Sequence, residues 1–257
     1  CHMLWEKDPG NWDKIKNMAI ITDFPIHMAR LAVVGSHSVN GVAQIHTDIL
    51  KEHIMRAFHQ LYPGKFNNKT NGITHRRWLL KANPQLAELI TECIGSEWIK
   101  KPGELQQFAN FVDDKKVQEQ LRKIKLSNKK VLAKYIKDHT GVTVNVNSIF
   151  DVHIKRIHSY KRQMLNVFHI MDLYNRLKEN PNLEITPRTY IFAGKAAPGY
   201  YIAKQTIKLI NVLASVINKD KDIKNKLKVI FLENYSVSLG EILFPAADVS
   251  EQISTAS

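Results

Sequence analysis

Five cationic side chains crowd into eight residues in the run Lys155-Arg156-Ile157-His158-Ser159-Tyr160-Lys161-Arg162. Arginine grips a phosphate through two parallel N–H bonds, and lysine meets it as a mobile point charge. The run therefore suits one or two phosphate dianions, and equally a solvated basic corner; the residues alone leave both open. Lys155, Arg156 and Lys161 are the candidates for anion chemistry, with Tyr160 beside them.

Other clusters carry polar groups in turn-rich settings. Gly194-Lys195-Ala196-Ala197-Pro198-Gly199-Tyr200 has glycines that let backbone approach a ligand or make a tight turn. Its spacing is neither a dinucleotide fingerprint nor a Walker loop. Tyr235, in Asn234-Tyr235-Ser236-Val237-Ser238, suits a cofactor contact or a satisfied core tyrosine. His37 suits a general acid or base, or a hydrogen-bonded structural histidine. Asn71-Gly72-Ile73-Thr74 with Arg76, Arg77 and Trp78 offers polar, cationic and aromatic groups, or a hinge packed by Trp78. His153 and His158, five residues apart, lack the carboxylate or thiolate partners of a zinc site, so no metal is expected.

The elements that must position these groups follow from periodicity. Ser148–Ile154 alternates like a strand and runs straight into the basic run. A helix follows, with Val167, Ile170, Met171, Tyr174 and Leu177 at helical spacing. Then come a strand at 189–192, a helix through Ala203, Ile207, Ile210, Ala214 and Ile217, and a strand at 227–232. Strand–helix–strand–helix–strand predicts a parallel α/β sheet, whose ligands bind beyond the strands' carboxyl ends, where the polar clusters fall.

Upstream, a helical pattern begins near Asn40, with Val42, Ile45 and Ile49 on one face. Residues 61–75 are turn-rich and make the best linker. Asn83-Pro84 reads as a capped helix start, with Leu86, Leu89, Ile90, Cys93 and Ile94 on one stripe and Gly95 as its stop. A long charged helix runs to about His139, with Val117, Leu121, Ile124, Val131 and Tyr135 as its buried face.

A chain of 257 residues with 44% apolar and 24% charged content is expected to fold around a sizeable core. No apolar run reaches the length of a membrane span, and two cysteines, Cys1 and Cys93, give no disulfide framework. A cytoplasmic protein is expected. The formal charge of +13 is mostly dispersed among acids, as at 219–226, and alone decides no partner. Cys1-His2-Met3 reads as a tag junction, and both ends read as an excerpt from a longer protein.

Taken in order, six segments resemble the glycogen and α-glucan phosphorylase family. They are 35–43, 68–74, 150–163, 194–200, 231–239 and 245–255, and the resemblance runs from about Leu31 to the end. It implies an α/β, two-domain glycosyltransferase-B fold with a Rossmann-like parallel sheet. Residues 1–67 would close the N-terminal domain, and 68–257 would form an incomplete C-terminal cofactor- and phosphate-binding domain. It implies pyridoxal 5'-phosphate as cofactor, and α-1,4-glucan, inorganic phosphate and glucose 1-phosphate as reactants. It further implies a homodimeric parent without nucleic-acid or membrane partners.

By motif match, Arg156 and Lys161 would bind substrate phosphate and assist the cofactor phosphate, and Lys155 would orient the cofactor. Trp78, Ile154, Tyr235 and Val237 would line the cofactor pocket. Asn71, Val42 and Tyr160 would face the glucosyl unit, and Tyr200 would sit nearer the cleft mouth. Three departures stand out: Ser236 where the family has arginine, Ser159 where it has glutamate, and His75 where it has proline. The family's Schiff-base lysine would follow Ser257, so the isolated chain is expected to be inactive. Rival expectations are a nucleotide-sugar glycosyltransferase of the same architecture and a non-catalytic basic binding module.

Overall fold

A computed structural model describes residues 5–6 and 9–255. The tag-junction reading of Cys1-His2-Met3 and the last two residues of the chain, Ala256 and Ser257, lie outside the described residues. The chain divides into two compact units, Cys1–Ile73 and Thr74–Ser257. Their junction falls in the turn-rich stretch 61–75.

In the first unit, α1 (Trp12–Met18) and α2 (Met28–Gly35) precede strand β1 (Val39–Gly41). Helices α3 (Gln44–Ile49) and α4 (Arg56–Leu61) lead to β2 (Phe66–Asn68), which pairs parallel with β1. Met18, Val33, Phe58 and Phe66 form the core. The stripe Val42, Ile45 and Ile49 is exposed within this unit. A π-helical turn at Leu50–Ile54 follows α3, and the buried residue of α3 is Thr47. Thr47 donates to the Ala43 carbonyl and to Asn68 Oδ1. Gly41 lies so close that a Cβ there would sit 2.3 Å from Thr47 Oγ1.

In the second unit, α5 (Pro84–Ile94) begins at Asn83 and ends at Gly95, whose positive φ of 78° suits glycine. Asn83 does not cap it with its side chain; its Oδ1 accepts from Asn128 instead. A 3-10 segment (Pro102–Phe111) separates it from the long α6 (Lys115–Thr140). The buried face of α6 holds Val117, Lys129, Leu132 and Ile136, while Val131 is exposed. Lys129 is tolerated there because it donates to the Ser148 carbonyl at 2.7 Å and pairs with Asp248 at 2.6 Å.

The sheet is built from β3 (Ile149–Ile154), β4 (Arg188–Ala193), β5 (Leu227–Leu232) and β6 (Val249–Ser250). Helices α7 (Gln163–Glu179), α8 (Tyr201–Ile217) and α9 (Val237–Ala246) connect them. All pairings are parallel, in the order β5-β4-β3-β6. Leu132 and Ile136 of α6 and Leu239 and Leu243 of α9 pack on one face of the sheet. Val167 and Ile170 of α7 and Ile210 and Ile217 of α8 pack on the other. Full burial of each such side chain contributes roughly 1.5–3 kcal/mol. Covered on both faces, the strands are mostly apolar rather than alternating. The free edge of β5 is plugged at Val229, where the Asn218 amide accepts from its N–H and donates to its carbonyl.

The order fixes where a ligand belongs. From β3 the chain steps outward through β4 to β5, then α9 returns it to β6 on the opposite side of β3. Such a reversal opens a crevice at the carboxyl ends of β3 and β6.

Candidate anion site at the strand ends

The basic run leaves β3 at that reversal. Lys155 N–H bonds the Ala193 carbonyl and Ile157 N–H bonds the Lys195 carbonyl, so the loop continues alongside the chain leaving β4. Close approach makes Gly194 obligatory, since a Cβ there would lie 2.1 Å from the Lys155 carbonyl oxygen. Ile157 is buried beneath and anchors the loop, while Arg156 and Arg162 are exposed and Lys155, His158 and Lys161 half-buried. The buried side chain of Gln163 spans the loop, donating to the Arg156 carbonyl at 3.0 Å and accepting from His158 N–H at 3.4 Å. Arg162 takes a left-handed backbone, φ 57°, to turn the chain into α7. A non-glycine residue held there is strained backbone of the sort that collects at functional sites.

The segment after β6 meets this loop. Lys155 Nζ donates to Gln252 Oε1 at 2.6 Å, and Arg162 Nε donates to the Ile253 carbonyl. Thr255 N–H bonds the Tyr160 carbonyl at 2.9 Å. Lys161 Nζ sits 4.5 Å from the centre of the Tyr160 ring. Among the described residues, none of Lys155, Arg156, Lys161, Arg162 or Lys195 pairs with a carboxylate. Elsewhere the lysines and acids of this unit pair readily, as Lys178 does with Asp220 and Asp222. A short run of cations left without acids suits an added anion.

Three aromatic side chains meet at Gly240 of α9. The missing Cβ of Gly240 lets Tyr235 Oη, Trp78 and Phe244 close in, at 3.0, 3.1 and 3.2 Å from where it would lie. Trp78 and Phe244 meet edge to face, with centroids 5.1 Å apart. Arg77 and Lys81 hold the turn bearing Trp78 to Glu241 of α9, at 2.6 and 3.2 Å. Tyr235 and Ile154 pack on the same apolar cluster, and Val237 opens α9 with its side chain exposed. Burial pushes the Tyr235 hydroxyl up, so it stays protonated.

The structure thus brings Lys155, Arg156, Tyr160 and Lys161 together and sets Trp78 with Tyr235. Tyr200 joins the first group: its hydroxyl bonds Ser159 Oγ, and His158 lies between the rings of Tyr160 and Tyr200, at 4.8 and 4.9 Å. Val42 and Asn71 belong to the first unit, where they follow the carboxyl ends of the paired strands β1 and β2, both exposed. His37 is exposed. His153 is buried beneath the loop, its imidazole held neutral by burial and by Lys155, which push it down to about 4.

The three departures also find places. Ser236 caps α9, its Oγ accepting from Leu239 N–H at 3.3 Å. Ser159 bonds Tyr200, and His75 Nε2 bonds with the Ile99 carbonyl at 2.9 Å. Sequence reasoning gave no role to Gln163, Gln252 or Glu251. Gln163 sat one residue beyond the basic run, the one signal available; Gln252 and Glu251 act through tertiary pairing that no local pattern announces.

A family model described as carbohydrate phosphorylase matches residues 1–257. Similar chains include "Glycogen phosphorylase" of Bacillus subtilis, 57% identical over 257 residues, covering 100% of this chain and 32% of that protein. "Glycogen phosphorylase" of a Synechocystis species is 50% identical, with coverage of 97% and 30%. "Glycogen phosphorylase, muscle form" of Oryctolagus cuniculus is 50% identical, with coverage of 96% and 30%. The chain spans about a third of the length of these relatives.

Proposed function

Because this chain belongs to the carbohydrate phosphorylase family, we propose that it carries the phosphate-handling part of an α-1,4-glucan phosphorylase. The parent protein would cleave a terminal glucan bond with inorganic phosphate and release glucose 1-phosphate. One observation carries the reading: the cations of the loop that leaves β3 at the reversal have no carboxylate partner among the described residues.

Arg156 would grip substrate phosphate through two N–H bonds, and Lys161 would hold a further oxygen. Together they lower the cost of bringing a dianion to the leaving glycosidic oxygen, to which the phosphate passes its proton. They then hold the same phosphate where it captures the oxocarbenium-like glucosyl. Tyr160, Asn71 and Val42 would face that sugar, and Tyr200 would stand at the mouth.

Lys155, with Lys161 shared between the two phosphates, would hold the phosphate of pyridoxal 5'-phosphate, and Trp78, Ile154, Tyr235 and Val237 its ring. When bound it supplies a second phosphate as an acid–base partner. Two phosphates side by side explain why the loop needs so many cations in so few residues.

The test is glucose 1-phosphate release from glycogen and inorganic phosphate by the full-length parent. Lys161→Ala or Arg156→Ala in that protein should lower kcat by about a hundredfold or more. Turnover of a nucleotide sugar, with no phosphorolysis, would replace this reading by a glycosyltransferase one.

A further inference from the structure

Directly below the basic loop, the α7/α8 face of the sheet holds a cluster that the proposed chemistry does not use. Asp151, in the middle of β3, is 1% exposed, and its Oδ2 accepts from Arg188 of β4 at 3.1 Å. Its Oδ1 is buried and has no hydrogen-bond donor. Another acid, Glu251, bears on Asp151 through its charge. The ladder puts it there: Asp151 pairs with Val249, and Glu251 N–H bonds the Val152 carbonyl at 2.9 Å. From β4, the Tyr190 ring also faces the cluster, with the Arg188 guanidinium 5.8 Å from its centre. Its hydroxyl bonds with His169 of α7 at 3.0 Å. His153, the other titratable group on this face of β3, stays neutral.

One half-buried arginine balances the buried Asp151 carboxylate only in part beside the half-buried Glu251, and the orphan oxygen finds a partner only if the Asp151 carboxyl carries a proton and shares it with Glu251. That sharing ties β3 to the first residue beyond β6. The next residues, Gln252, Ile253 and Thr255, are the ones that bond Lys155, Arg162 and the Tyr160 carbonyl. We propose that Arg188, Asp151 and Glu251 form a proton-sharing clasp that positions the anion-binding loop by fixing residues 251–255 against it. They are positioning residues, since none of them reaches the anion.

The direction of its pH dependence follows. Burial, then the neighbouring Glu251, push the Asp151 carboxyl up to about 7 in the closed clasp. An opened segment would return it towards its ordinary value near 3.8. Closure is thus strongest in acid, weakens as pH rises from about 4 to about 7, and is constant above. The inference rests on the phosphate reading only for its consequence at the loop; the clasp itself is read separately.

The test is amide hydrogen exchange on the 257-residue chain, corrected for intrinsic rates. Protection of the Glu251 and Thr255 amides should fall on the order of a hundredfold between about pH 5 and about pH 8. Asp151→Asn and Glu251→Gln each supply a permanent donor, and should hold protection within about twofold over that range. A flat wild-type profile, or an unchanged fall in both variants, would overturn the clasp. Should neither variant fold, the wild-type carbon-13 carboxyl titration decides: a midpoint near 7 supports it, and carboxyls all titrating below about 5 refute it. Sulfate, a dianion throughout, reads the consequence: its affinity should fall with wild-type protection more steeply than in the variants. A clasp that opens while sulfate binding ignores it would refute the positioning role. Neither outcome depends on whether the parent releases glucose 1-phosphate.

Discussion

Gly194 passes so close to Lys155 that a Cβ on it would lie 2.1 Å from the Lys155 carbonyl oxygen. The obstacle is backbone, held by the Lys155 N–H bond to Ala193 on one side and the Ile157 N–H bond to Lys195 on the other. Relief therefore requires the two strand-end loops to part. The first cation of the basic run depends on a glycine 39 positions later for its place.

Gly194→Ala should destabilise the second unit by about 1–3 kcal/mol, the usual cost of forcing a methyl into packed structure. It should also weaken sulfate binding by displacing Lys155. Urea unfolding and calorimetry check both. An alanine variant of unchanged stability and affinity would show that the loops part without consequence.

Lys129 makes a separate prediction. Its ammonium, 2.6 Å from Asp248 and 2.7 Å from the Ser148 carbonyl, also lies 4.6 Å from the centre of the Phe150 ring. Lys129→Ala should cost about 3 kcal/mol, towards the low end for a broken buried pair, because Asp248 keeps the Phe150 N–H. Lys129→Met with Asp248→Asn should recover most of that loss. Urea midpoints of the three variants form the check.

Much of the sheet was legible from the sequence. The apolar strands at 149–154, 188–193 and 227–232 and the helices between them have regular periods, and burial on both faces agrees with their composition. The buried face of α6 was legible only in part: Val117 is buried and Tyr135 packs on the core, but buried Lys129 and half-buried Lys125 find their partners, Asp248 and the Pro245 and Ala247 carbonyls, more than a hundred residues later. The stripe at Val42, Ile45 and Ile49 is exposed within its unit because the inward side of that helix carries Thr47, whose hydrogen bonds to the Ala43 carbonyl and Asn68 no apolar period announces. At the site, the cations were visible as a local run. Gln163, Gln252 and the Asp151–Glu251 pair were not, since their work is done across strands.

Asp151 and His153 lie two residues apart on one face of β3 and oppose each other in pH linkage. The Asp151 carboxyl is raised to about 7, so it contributes stability in acid that is lost as pH climbs from about 4 to about 7. The His153 imidazole is lowered to about 4, so its contribution is present above about 6.5 and is lost as pH falls towards 4. The two offset over most of that window. Relative to wild type, Asp151→Asn should lose stability on acidification and His153→Gln should gain it. Urea midpoints across about pH 4.5 to 7.5 report the sign, and parallel profiles for both variants would exclude the opposition.

The central claim, an anion cradle at the carboxyl ends of β3 and β6, is tested most directly by calorimetric titration of the chain with inorganic phosphate. The account predicts saturable binding that Arg156→Ala and Lys161→Ala each weaken about tenfold or more, while Lys178→Ala, remote from the loop and paired with Asp220 and Asp222, leaves it unchanged. Equal affinity in all four proteins, or no saturable binding by the wild type, would contradict it.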